Sequence, residues 1–190
     1  MKPLPSKVSA VADGGPSRKC AASPGVKFEV EIVRHGDAWT PGEVTDAMLE
    51  RAARAALNAA PDVQPGSYHV TLVLTADDEM RTLNRTWRGK DAPTNVLSFP
   101  ADQLGDPGFL GDVVLAHETM REEAREQNLA LQDHAAHLVV HGVLHLLGFD
   151  HGDDVEAERM EDVERTALAS LCVADPYAEA QGARSAEVSP

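Results

Sequence analysis

The stretch HAAHLVVHGVLHLLGFDH, residues 134–151, is the part of the sequence from which the fold and the chemistry are most directly inferred. Its apolar residues recur at helical spacing, which predicts a helix over residues 133–147. Gly148 follows directly and supplies the left-handed conformation that commonly ends a helix. The chain can then turn back and bring His151 toward the last turns of the helix.

Five of the eight histidines lie in this stretch. His141 and His145 are four residues apart, so both rings leave the same helix face one turn apart and can share one metal ion. Three neutral imidazoles around zinc leave a fourth position for water, as in catalytic sites, and zinc activates that water near neutral pH. The spacing therefore predicts one zinc ion per chain, held by His141, His145 and His151, and a hydrolytic reaction.

Neighbouring side chains leave alternatives open. A site built on His137 and His141 is geometrically possible, but His137 lies about 12 Å from His145 along the helix axis, so these two cannot bind one ion. We assign His137 a packing or supporting role and His134 a surface role. The candidates for orienting the ligand histidines, unless they are helix caps or solvated charges, are Asp150, Asp153 and Asp154.

Gly142 occupies the position at which zinc proteases commonly carry a glutamate general base, directly after the first histidine. The sequence therefore predicts either a hydrolase whose base comes from elsewhere, or one that relies on the metal and on charge stabilisation alone. A zinc peptidase or amidase stays open as an alternative, because the pair of helix-borne histidines would suit it.

The rest of the chain mixes strand and helix patterns. Alternating and β-branched runs predict four strands, over residues 27–34, 68–75, 96–99 and 111–116. Helical spacing predicts five helices, over residues 43–60, 80–87, 118–128, 133–147 and 153–171, the second capped by Asp77 and Asp78 and ended by Gly89. A loop containing Gly and Pro suggests a hairpin between strands three and four. We expect a single α+β domain (an open α/β sandwich) with a mixed sheet of about four strands packed by about five helices.

Composition limits the remaining possibilities. Residues 1–26 and 174–190 lack periodicity, which predicts a disordered N-terminal extension and a flexible C-terminal tail around a domain over residues 27–173. The net charge of -14 repels polyanions, which argues against DNA as a partner. The carboxylates of residues 118–126 and 150–164 are interpreted as solvated helix faces. No apolar stretch reaches the ~18 residues of a membrane span, and the two cysteines form no disulfide framework, so we expect a cytoplasmic protein without a membrane partner.

A second constellation, LNRTWRGKDAPTNVLSFP over residues 83–100, places Arg85, Arg88 and Lys90 together in this acidic chain. Guanidinium groups bind phosphate oxygens and stabilise charge that develops during phosphoryl transfer. Alone, the stretch would be a solvated helix end, but beside a hydrolytic metal it points to a phosphodiester substrate. Side chains that could add hydrogen bonds to an RNA backbone, or else serve the turn and strand, are Thr94, Asn95 and Ser98.

The segments HGVLHLLGFDH, WRGKDAPTNVLSFP and LGDVVLA together resemble the YbeY family of bacterial endoribonucleases over roughly residues 28–172. The resemblance implies a zinc-dependent endoribonuclease that cuts single-stranded RNA, matures the 3′ end of small-subunit ribosomal RNA and takes part in ribosome quality control. His141, His145 and His151 match the family's metal ligands, and Arg88 matches its functional arginine, so Arg88 and His141 are the expected catalytic residues. Phe149 stands where many members have Tyr.

The resemblance also implies partners. These are single-stranded ribosomal RNA and the pre-ribosomal small subunit, with a small-subunit ribosomal protein and the Era GTPase as further candidates. A non-enzymatic assembly factor, in which zinc fixes a loop for docking on the pre-ribosome, remains a third hypothesis beside the nuclease and the peptidase.

Overall fold

Four strands and five helices follow one another in nearly the predicted places in the computed structural model, which describes residues 25–40, 42–101 and 106–178. The strands are β1 (Val26–Arg34), β2 (Gly66–Thr75), β3 (Val96–Pro100) and β4 (Phe109–Ala116). The helices are α1 (Asp46–Ala59), α2 (Asp77–Arg88), α3 (His117–Glu126), α4 (Leu131–Leu146) and α5 (Asp154–Ser170).

The strands form one sheet in the order β1-β2-β4-β3. β1 pairs with β2, and β2 with β4, in parallel, whereas β3 and β4 form the predicted antiparallel hairpin, in which Ser98 lies opposite Val113. The sheet is therefore mixed and open, and the α+β prediction is confirmed.

Alternation along the central strands distributes their side chains over two faces of the sheet. The larger face carries the main core together with residues of α1, α4 and α5, and its fully buried strand residues are Val70, Leu72, Leu74, Val113 and Leu115. On the opposite face, Val114 and Ala116 pack with Met80 of α2 and with Leu97. α4 is apolar around most of its surface because it packs against the sheet as well as against α1, α3 and α5.

The start of α2 differs from the prediction. Asp77 and Asp78 lie in the first turn of the helix, and Ala76 occupies the cap position without a side-chain hydrogen bond. The Asp77 carboxylate instead accepts hydrogen bonds from the backbone N–H of Thr119 at 3.0 Å and from its hydroxyl at 2.8 Å. Asp77 thus ties α2 to α3, while Gly89 ends α2 in a left-handed conformation as predicted.

The ends of the chain fall only partly within the described ranges. The extension predicted over residues 1–26 lies outside them except for its last two residues, and β1 begins at Val26. Of the tail predicted over residues 174–190, the structure describes residues 174–178, and Tyr177 there donates a hydrogen bond to Glu164 of α5. Across the described ranges, no helix has the length and apolar character that crossing a membrane requires.

Candidate metal centre

The C-terminal end of α4 turns the chain back toward its own last turns. Gly148 has a φ of +90°, and its N–H bonds the carbonyl of His145 at 3.0 Å. The N–H of Phe149 bonds the carbonyl of Leu144 at 3.0 Å, which completes the two-bond pattern of a glycine-ended helix. The predicted role of Gly148 is confirmed, and this turn is what carries His151 toward the helix.

Three imidazoles meet beside this turn. One ring nitrogen from each of His141, His145 and His151 lies within 4.8 Å of the other two. The Nε2 atoms of His141 and His145 are 3.1 Å apart. Two nitrogens on a tetrahedral zinc, each about 2.0–2.1 Å from the ion, would be about 3.4 Å apart, so the donor set and its spacing fit a metal ion.

Hydrogen bonds on the far side of two rings leave their Nε2 atoms free for a ligand. His141 Nδ1 lies 2.7 Å from the carboxylate Oε1 of Glu164, and His145 Nδ1 lies 3.0 Å from the carbonyl oxygen of Phe149. Both partners are acceptors, so each Nδ1 carries the proton and each Nε2 presents a lone pair. Burial lowers the pKa of His145, as do His141 and His151, which favours the neutral imidazole that a metal requires. Because Phe149 acts through its backbone carbonyl, its lack of a side-chain hydroxyl does not affect this contact.

Glu164 lies fully buried behind the cluster. Burial raises the pKa of its carboxyl group, but hydrogen bonds from His137, His141 and Tyr177 outweigh burial and lower the pKa from 4.5 to about 2. His137 Nε2 is 3.5 Å from Glu164 Oε2, the same oxygen that accepts the Tyr177 hydroxyl. A carboxylate that stays ionised is therefore fixed against His141, and the interpretation of residue 164 as part of a solvated face is wrong.

The sequence contained a signal for Glu164. On α5 it lies four residues after Met160 and four before Leu168, both buried, so it interrupts the apolar stripe of the helix with a carboxylate. Of the three acidic residues considered for this orienting task, Asp154 lies exposed in the first turn of α5, and the other two have different contacts. Asp153 caps α5 by accepting from the backbone N–H groups of residues 155 and 156, and Asp150 accepts from the N–H of residue 151.

His134 also differs from the expectation. Its side chain is buried rather than at the surface, and its Nε2 lies 2.9 Å from Glu123 Oε2. The same Glu123 oxygen accepts from the Asn95 amide, and Asn95 in turn accepts from the backbone N–H of Val96. His134 and Asn95 therefore help to hold α4, α3 and the start of β3 together.

The histidines open into a cleft of about 630 Å³. β3 and the residues that lead into it line one side, the turn after α4 lines the other, and Trp87 and Arg88 of α2 reach into the same space. Arg81 and Arg85 both pair with Asp91, at 2.8 Å and 3.8 Å, but Arg88 forms no salt bridge within the described part of the chain. Arg88 thus places a guanidinium without a carboxylate partner among the described residues in the cleft that contains the three histidines.

Gly142 faces the sheet rather than the cleft. A Cβ atom there would lie 2.5 Å from Cγ1 of the fully buried Val113 and 3.1 Å from the hydroxyl of Ser98, which itself donates to the Gly142 carbonyl. Any side chain at this position would force α4 away from β3 and β4. The glutamate of a zinc peptidase therefore has no room at this position.

Together, the fold and the site define a mixed-sheet α+β protein with a candidate metal centre of three histidines and an arginine in one cleft. Comparisons with known proteins agree with that class. A family model described as endoribonuclease YbeY matches residues 37–172. The chain belongs to the endoribonuclease YbeY family, as the motif resemblance predicted.

Individual relatives cover nearly the same region. A protein from Azorhizobium caulinodans named endoribonuclease YbeY is 48% identical over 154 residues, which are 80% of this chain and 97% of that protein. One of the same name from Novosphingobium aromaticivorans is 50% identical over 151 residues, 74% of this chain and 90% of its own. The solution structure of TM1509 from Thermotoga maritima is 25% identical, with a TM-score of 0.52, and the match covers 85% of this chain and 97% of that one.

Proposed function

We propose that this protein is a zinc-dependent endoribonuclease that cuts single-stranded RNA and acts in ribosomal RNA processing. The observation that carries the proposal is the cleft in which three histidines with convergent ring nitrogens lie together with Arg88, which forms no salt bridge to any described residue. The relatives named endoribonuclease YbeY support the same activity. A peptidase is disfavoured because Gly142 packs against Val113 with no space for the catalytic glutamate.

His141, His145 and His151 would hold the metal. Imidazole ligands suit zinc, and three of them leave a coordination position for solvent. When bound, zinc supplies Lewis-acid activation of water and polarisation of a phosphoryl oxygen. Glu164 and the Phe149 carbonyl keep two of the rings in the tautomer and orientation that ligation needs.

Arg88 would bind the phosphate that is being cut. Its guanidinium has no carboxylate partner among the described residues, so its charge is available to an anion in an otherwise acidic protein. The phosphoryl group gathers negative charge in the transition state, and a fixed cation there stabilises that charge. Ser98 and Asn95 are engaged in hydrogen bonds within the fold, so we assign them no role toward RNA.

The wider biological role follows the family resemblance. We propose maturation of the small-subunit ribosomal RNA 3′ end and ribosome quality control, in the cytoplasm, on the pre-ribosomal small subunit. A small-subunit ribosomal protein and the Era GTPase are proposed as protein partners. Because the net charge of -14 opposes encounter with free RNA, we expect docking on the particle to compensate for weak affinity.

The proposal is tested by removing and restoring the metal. We expect the protein as purified to contain one zinc per chain and to cut an unstructured RNA but not casein. Stripping the metal with a chelator should abolish cleavage. Stoichiometric zinc should restore it, because the three histidine side chains remain in place. Undiminished cleavage by the metal-free protein would contradict metal dependence, and cleavage of casein would favour the peptidase hypothesis.

Replacing Glu164 with Gln should weaken metal binding with little change in side-chain volume. Gln cannot accept hydrogen bonds at both positions, so the orientation and the charge that support His141 are lost, which typically costs about 10- to 100-fold in metal affinity. Zinc affinity is measured by competition with a chromophoric chelator. The control is Glu158→Gln, which removes one exposed carboxylate from the same helix, and equal affinities for the two variants would contradict the role of Glu164.

A further inference from the structure

Trp87 is an exposed aromatic side chain at the edge of the candidate active-site cleft. Its relative exposure is 69%. In the part of the chain that the structure describes, the other exposed large apolar side chains are Leu129 and Val155. Trp39, in contrast, is 6% exposed and donates its indole N–H to the Thr75 carbonyl at 2.9 Å. Most of this indole lies in water beside the cleft, so burial in the core does not explain the size of the side chain.

The ring of Trp87 is held in place. It packs edge to face with Phe99 of β3, with 5.8 Å between ring centroids and 64° between planes. It lies in the last turn of α2, which Gly89 ends in a fixed left-handed conformation. Phe99 and Trp87 therefore form an aromatic wall with most of the indole open to solvent.

Trp87 lies next to the group proposed to bind phosphate. Arg88 follows it in sequence, and both line the cleft that contains His141, His145 and His151. In a nucleotide chain each phosphate is flanked by bases, so a protein that grips a phosphate and presents an aromatic face beside it can hold the neighbouring base as well. Only an unpaired, unstacked base can reach such a face, because a duplex base is covered on both sides.

We propose that Trp87 stacks on an unpaired base next to the phosphate bound by Arg88, and that this contact makes the cleft select single-stranded RNA. The inference rests on the proposed function and adds to it the residue that recognises the substrate. Trp87 is a binding residue and takes no part in the chemistry. The contact is tolerant of sequence, since every base offers a π-face.

The first test separates binding from chemistry in the zinc-loaded protein. Trp87→Ala should raise KM for a single-stranded oligoribonucleotide about tenfold, within the range known for loss of one base–aromatic stack, with the loss in KM rather than kcat. Trp87→Phe keeps an aromatic face and should recover most of the lost affinity. Val155→Ala removes another exposed apolar side chain, outside the cleft, and serves as the matched control.

The second test observes the indole directly. Single-stranded RNA should quench the tryptophan emission of the wild-type protein, whereas Trp87→Phe, in which only the buried Trp39 emits, should show no such change. Duplex RNA of the same sequence should quench much less. An unchanged KM in Trp87→Ala, or equal quenching by duplex and single strand, would overturn the inference even if the protein cuts RNA. If the wild-type protein cuts no RNA, the proposed nuclease function fails, and quenching by single-stranded RNA alone then decides whether Trp87 binds it.

Discussion

The His145→Ala variant is expected to purify without stoichiometric metal and to lose RNA cleavage. His145 supplies one of three converging nitrogens, and its Nε2 is only 3.1 Å from that of His141. The two imidazoles that remain cannot hold the metal as three can, and one of them, His151, is on an exposed turn. Because a metal contributes several kcal/mol to the stabilisation of transition-state charge, we expect cleavage to fall by at least about a thousandfold.

The measurements are metal content by mass spectrometry and cleavage of an unstructured RNA, made on the same preparation. His69→Ala is the control, since His69 is partly exposed and lies outside the cluster. Circular dichroism establishes that both variants are folded. Full metal content in His145→Ala would show that the ligand set is wrong, and wild-type cleavage by the metal-free variant would contradict metal dependence.

The three histidines could be predicted from the sequence because their geometry is local. His141 and His145 share a helix face through the four-residue period, and a single turn at Gly148 brings back His151. All three lie within eleven consecutive residues, so no knowledge of tertiary packing was needed. The hairpin of β3 and β4 was predictable for the same reason.

The features that were missed depend on contacts between distant segments. Glu164 is on a different helix from His141, and its place in the apolar stripe of α5 indicates that it turns inward but not that it contacts His141. The sequence around Asp77 is that of a helix cap, but in the fold Asp77 accepts from Thr119 of α3. His134 was expected at the surface, but in the fold it is buried and contacts Glu123. In each case the side chain contacts a partner that only the tertiary fold brings near.

Packing also explains why residue 142 is a glycine. The sequence showed that Gly142 replaces the peptidase glutamate but gave no reason for it. The structure supplies the reason, since the close approach of α4 to Val113 and Ser98 leaves no room for a Cβ atom. The position is thus fixed by the contact between helix and sheet, and the chemistry in the cleft must proceed without a base from this residue.

The Arg88→Ala variant is expected to keep its metal and its stability while losing most of its cleavage activity. Arg88 forms no salt bridge within the described residues and is exposed at the end of α2, so the fold does not depend on its charge. Its proposed role is to stabilise charge on the phosphoryl group, and removing one such fixed donor costs about 100- to 1000-fold in kcat. Zinc content and the unfolding midpoint should match the wild type, which separates this effect from that of His145→Ala.

Arg85→Ala is the matched control, because it removes the same charge from the same helix three residues earlier. Arg85 pairs with Asp91 at 3.8 Å and does not line the cleft, so its loss should reduce kcat little. Arg88→Lys should recover only part of the activity, since an ammonium cannot make the two parallel hydrogen bonds of a guanidinium. If Arg85→Ala lowered kcat as much as Arg88→Ala, the effect would come from the overall charge of α2, and the assignment of Arg88 to the reacting phosphate would be wrong.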